Sequence, residues 1–203
     1  MIGIIQKVLM DLLVSTGGES LKQSVLQHAG LPLDMHFRID QNYSDIDCLK
    51  LIDAAAVETG LSVNEVYALY ATAFINQARD LFPRFFEISK TSEEFLMRQA
   101  TVHAVMASGL QHSEDRKQVT DKFSATQLSP GLVRIDYRSP NLLCGLFKAL
   151  VHEVSSIYSE TVSISCTRCV KEGQSNCSFN LQWPQSKSEQ HQHAKIKVIS
   201  PDD

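Results

Sequence analysis

"KFSATQLSPGLVRIDYRSPNLLCGLFKALVHEVSSIY", residues 122–158, changes its period partway along, and that change decides the fold class. Up to Arg138 apolar and polar side chains alternate, the signature of strands, and Ser129-Pro130-Gly131 supplies the turn of a hairpin. From Asn141 to Tyr158 apolar residues instead recur every three to four positions, which predicts an amphipathic helix. Two further strands, "TVSISC" (161–166) and "CSFNLQW" (177–183), flank "TRCVKEGQSN". The order strand, strand, helix, strand, strand predicts a small antiparallel sheet with a long helix packed on it.

Towards the N-terminus the period is helical throughout. Ile4, Ile5, Val8, Leu9, Leu12 and Leu13 define a first helix that Gly17 and Gly18 stop, and a second runs from about Glu19 to Ala29. A third, about Asp45 to Thr59, carries Leu49, Ile52, Ala56 and Val57 on one side and ends at Gly60. Ser62 with Glu65 is a capping box for a fourth helix, Val63 to Leu81, and Thr91 with Glu94 repeats it for a fifth, Ser92 to Leu110. "LQHSEDRKQVTD" (110–121) reads as a polar loop. The class is therefore α+β: one domain over 1–183, helical over 1–115 and sheet plus helix over 116–183, with a flexible polar tail over 184–203.

Composition narrows the function. The 203 residues are 43% hydrophobic with a formal charge of −4, and no Lys/Arg run forms a phosphate-binding stripe, so nucleic acid is set aside. "MIGIIQKVLMDLLVSTGG" carries Lys7 and Asp11 and reads as a core helix rather than a leader, and no stretch approaches the roughly 20 apolar residues that span a bilayer. Five cysteines without secretory context indicate reduced thiols or metal, and hence a cytoplasmic protein. No catalytic nucleophile, phosphate loop or carboxylate pair points to an enzyme.

Three groups of residues carry chemistry. His103 shares a helix face with Leu96, Ala100, Met106, Ala107 and Leu110 and points inward, as a core histidine or as an axial ligand. On the second strand of the hairpin alternation puts Val133, Ile135, Tyr137 and Ser139 on one face, so two hydroxyls continue an apolar surface; solvent at the sheet edge or a carboxylate ligand would satisfy them. Cys166, Cys169 and Cys177 lie in a C-x-x-C arrangement plus a third thiol, spaced for zinc, with Cys144 the best fourth ligand and His152, His191 and His193 as alternatives. Cys48 reads as an ordinary buried cysteine.

The glycine-containing apolar first helix, His103 midway along the chain and "YRSPN" leading into a helix together resemble the haem nitric oxide/oxygen binding (H-NOX) domains, related to the sensor domain of soluble guanylate cyclase. The resemblance spans about residues 1–183. It implies haem b, with His103 as axial ligand and Tyr137 and Ser139 as propionate donors. Where the family motif has arginine this sequence has Asn141, which replaces a charge-assisted pair with an ordinary hydrogen bond. That loss is about 1–2 kcal/mol, or roughly tenfold in affinity. Arg134 and Arg138 alternate away from that face.

Oxygen-holding members use a distal tyrosine near the position of Leu146. Here Ile4, Ile5, Phe74 and Leu146 are expected to form an apolar distal wall favouring nitric oxide, unless Tyr67 or Tyr70 turns inward. The resemblance further implies a sensor of nitric oxide acting on a separate partner, a histidine kinase or a cyclic-dinucleotide enzyme. Some relatives also carry a zinc-binding cysteine cluster in this part of the fold. The alternative is a zinc and thiol redox sensor on the same fold working without haem, and a plain interaction module is a third reading.

Overall fold

The computed structural model describes residues 3–108, 113–138 and 142–184. Eight helices and four strands occur among them: α1 (Ile4–His28), α2 (Asp45–Thr59), α3 (Val63–Leu81), α4 (Pro83–Glu87), α5 (Ser92–Met97), α6 (Gln99–Ser108), α7 (Ser113–Thr120), β1 (Phe123–Ser129), β2 (Leu132–Tyr137), α8 (Cys144–Ile157), β3 (Ser163–Arg168) and β4 (Cys177–Gln182). The sheet is antiparallel in the order β1-β2-β4-β3. The expected α+β class therefore holds.

The cap of α3 forms as the sequence indicates and that of α5 only in half, because the Glu94 carboxylate accepts from the Lys90 N–H rather than from Thr91. Ser62 and Glu65 close a reciprocal capping box at α3, and the Thr91 hydroxyl accepts from the Glu94 N–H at α5. Gly17 and Gly18 break the helical dihedrals inside α1, Gly18 at φ 72°, so the expected first and second helices form one kinked rod.

Four expectations are corrected. The fifth helix is two: Arg98 donates its N–H to the Phe95 carbonyl three residues back, a tighter turn than α, before Val102 resumes the α pattern by donating to Arg98. That tighter turn rotates the following face, leaving Ala100 exposed while Val102 and Ala107 are buried. The stretch 113–120 is helix rather than loop; Val119, the one buried side chain among those described there, meets Ala107, and a single apolar residue leaves no period to read. In α2 the buried residues are Cys48, Leu51, Ile52, Ala54, Ala55 and Ala56, so the expected Ile52 and Ala56 do face in, while Leu49 is half-buried and Val57 exposed. Finally α4 forms unannounced, started by Pro83 at its first turn, where a missing N–H costs nothing.

Two cores meet at α8. Leu143 and Leu146 join the core made by α1, α2 and α3, while Phe147, Val151 and Val154 pack on Val133, Ile135, Phe179 and Leu181 of the sheet. β4 is tied to the helical half by Trp183, whose Nε1 donates to Ser92 Oγ at 2.7 Å. Among the described residues no helix is long and apolar enough to cross a membrane.

Candidate haem pocket and thiol cluster

Between the two cores lies a cavity of about 190 Å³. Ile4 and Ile5 of α1, Phe74 of α3, Leu143 just before α8 and Leu146 within it line one side. His103 of α6, Phe123 of β1 and Tyr137 of β2 line another. Among the described lining residues the polar side chains are Gln99, His103, Lys122 and Tyr137.

His103 Nδ1 pairs with the Gln99 carbonyl at 2.8 Å, the helical carbonyl one turn back, and Nε2 has no partner among the described residues. Burial pushes the imidazole down to about 4, so at neutral pH the ring is uncharged and its Nε2 lone pair is able to ligate a metal. Phe123 packs against it with ring centres 4.5 Å apart, and Phe123, Tyr137 and Phe147 continue as a stack.

The expected distal residues Ile4, Ile5, Phe74 and Leu146 all line the cavity. Neither tyrosine held in reserve reaches it. Tyr70 Oη donates to the Ile5 carbonyl at 3.2 Å, and the Tyr67 ring is packed on Gly145 so closely that a Cβ there would sit 2.8 Å from Tyr67 Cε2. Ser139 and Asn141 lie outside the described residues.

Sequence reasoning missed Phe82, Phe85 and Phe86 around α4, which close the cavity beside Phe95; Phe86 and Phe95 stack at 4.7 Å. The run "LFPRFFEI" was the available signal, an aromatic cluster started by a helix-initiating proline. It also missed Lys122, which alternation assigns to the other face.

The cysteines gather only in part. The Sγ atoms of Cys144, Cys169 and Cys177 lie within 4.8 Å of one another, with Cys144–Cys169 and Cys177–Cys169 both at 3.9 Å. A tetrahedron with Zn–S bonds of about 2.3 Å needs sulfurs about 3.8 Å apart. Cys166 is not in that group: exposed on the edge strand β3, it points its thiol at the Arg168 carbonyl. His152 is exposed as well, and His191 and His193 lie outside the described residues. Burial acts to raise the Cys169 thiol, yet the Lys171 backbone and the neighbouring thiols draw it below the ordinary value; burial pushes Cys177 up to about 11. Cys48 is buried apart from them, its thiol pushed up to about 12 by burial.

An apolar slot thus lies between a helical half and a four-stranded sheet, with one neutral imidazole in its lining. A sequence model of the Haem-NO-binding family matches residues 2–166, and the chain belongs to that family, the H-NOX domains, which are haem-based gas sensors. No curated protein sequence matches the chain.

Solved structures share its fold at low identity. An H-NOX protein from S. oneidensis in the Fe(II)NO ligation state is 19% identical, covering 91% of this chain and 100% of its own, with a TM-score of 0.72. An oxygen-binding H-NOX domain related to soluble guanylate cyclases is 17% identical over 100% of both chains, at 0.72. The I5F mutant of the T. Tengcongensis H-NOX is 18% identical over 92% of this chain and 100% of its own, at 0.75.

Proposed function

We propose that this chain is a haem-based nitric oxide sensor, not an enzyme, and that it regulates a separate cytoplasmic signalling protein, a histidine kinase or a cyclic-dinucleotide enzyme. The observation that carries the reading is the contrast between the cavity's walls. A neutral imidazole with a free Nε2 faces in from one side, and the other offers no hydroxyl among its described residues.

The residues fit haem b. The cavity is apolar, His103 is held by Gln99 in the tautomer that presents Nε2, and Tyr137 stands at the sheet side, where Ser139 and Asn141 follow in sequence. Bound haem supplies the iron at which the gas is taken up. The chain's own part is to orient His103, to exclude water, and to withhold a donor from the gas. Ile4, Ile5, Phe74 and Leu146 cannot hydrogen-bond to oxygen, and that favours nitric oxide.

Signal output follows from where His103 sits. Its helix α6 is joined to α5 by the tight turn at Arg98 and lies against β1 and α7, so a pull on His103 biases the packing of the helical half on the sheet. His103→Ala tests the assignment: the variant, made in cells supplied with haem, is expected to lose the Soret absorption that the parent shows. A variant retaining full absorption contradicts it.

The thiol spacing supports a second, compatible reading, a zinc site of Cys144, Cys169 and Cys177 that pins α8 to β4 and the turn before it. Such a site acts as a staple, or as a redox switch when oxidation of the thiolates releases the metal. Metal analysis of the purified protein tests it, with one zinc per chain expected and none contradicting it.

A further inference from the structure

We propose that Lys122 holds a haem propionate, supplying the positive charge that Asn141 takes away from the strand motif; the proposal rests on the haem reading above. Its place in the sheet is the first argument. Phe123 pairs with Tyr137, and the Arg138 N–H donates to the Lys122 carbonyl at 2.7 Å. Lys122 therefore stands directly across from the start of the segment that runs through Ser139 to Asn141.

The second argument is where its side chain lies. Strand alternation predicts that Lys122 faces away from Phe123, yet both line the cavity, Lys122 standing one residue before the start of β1. Lys122 is the one lysine or arginine among the described lining residues.

The third argument is the charge it lacks. Lys122 Nζ makes no hydrogen bond and no ion pair within 4 Å to any described residue, and the Asp45 carboxylate acts on it only at longer range. Burial lowers its pKa, so the ammonium is held in surroundings that disfavour it without a contact anion. Haem is an apolar ring bearing two carboxylates. A lysine whose backbone is paired to the sheet and whose residue lines an apolar slot matches that chemistry, and an ammonium to carboxylate contact is a charge-assisted bond that a neutral amide does not make.

The test separates the charge from the ring. Apoprotein is titrated with haem and with haem dimethyl ester, which keeps the macrocycle and iron but has no carboxylate, for the parent, Lys122→Gln, Lys122→Met and Lys122→Arg. Circular dichroism melts of each apoprotein verify folding. The expected result is a haem Kd raised roughly tenfold in the two neutral variants, little changed in Lys122→Arg, and an ester Kd the same in all four. Asn141→Arg added to Lys122→Gln is expected to recover haem binding. Equal haem affinity in parent and neutral variants, or equal weakening for haem and ester, overturns the role of Lys122 while leaving the haem reading intact. A parent that takes up neither compound overturns the haem reading itself.

Discussion

Leu146 is the residue on which gas choice turns. It faces the cavity on α8, 5% exposed, and the tyrosines behind it, Tyr67 and Tyr70, do not line that cavity. Leu146→Tyr places a hydroxyl there, and the haem-loaded variant is expected to form an oxygen-stabilised spectrum in air that the parent does not; stopped-flow oxygen dissociation measures it. Gln6 on α1 illustrates an ordinary cost instead. It is fully buried and neither amide atom has a hydrogen-bond partner among the described residues. Gln6→Met removes that unsatisfied amide at similar volume and is expected to stabilise the fold by about 1–2 kcal/mol in urea denaturation.

At the scale of elements, helix caps and close approaches decide what holds. Hydrogen bonds from the Ser62 hydroxyl and N–H hold the Glu65 carboxyl below its ordinary value. A carboxyl whose folded pKa is depressed stabilises the fold above its unfolded pKa, and the contribution disappears as pH falls through the lower folded value. Glu65→Gln is therefore expected to lower the melting temperature near neutrality and to lose that difference in acid, below the ordinary carboxylate range. Where α8 crosses α3, Gly145→Ala drives a Cβ into the Tyr67 ring; it is expected to cost about 1 kcal/mol despite a better helix propensity.

These elements were legible where period and caps agreed, as at 45–59 and 63–81. They were illegible where a helix carries one apolar residue, as at 113–120, or where a single tight turn at Arg98 rotates the face that follows. The site divides in the same way. His103 and Tyr137 declared themselves by period and the four apolar distal residues through the family resemblance, whereas Lys122 stands one residue before its strand and enters the cavity against the alternation. Cys166 followed the C-x-x-C spacing in sequence, yet the turn between β3 and β4 carries Cys169 inward and leaves Cys166 at the edge.

Across the whole molecule, one helix joins two halves. α8 contributes to the helical core, the sheet core, the cavity and the thiol cluster, so a change at any of these reaches the others through a single rigid element. If zinc completes the cluster, Cys169→Ser is expected to abolish zinc content by metal analysis while Cys166→Ser retains most of it, because only the first lies among the converged sulfurs.

The claim that the chain senses nitric oxide through a haem pocket whose distal wall offers no hydrogen-bond donor is tested most directly by one spectrum series. Protein expressed with ample haem is reduced, exposed to air-saturated buffer and then to nitric oxide, with absorption recorded at each stage. The account predicts a Soret band that is unmoved by dissolved oxygen at first exposure and shifts on nitric oxide. A colourless protein, or a stable oxygen spectrum in air, would contradict it.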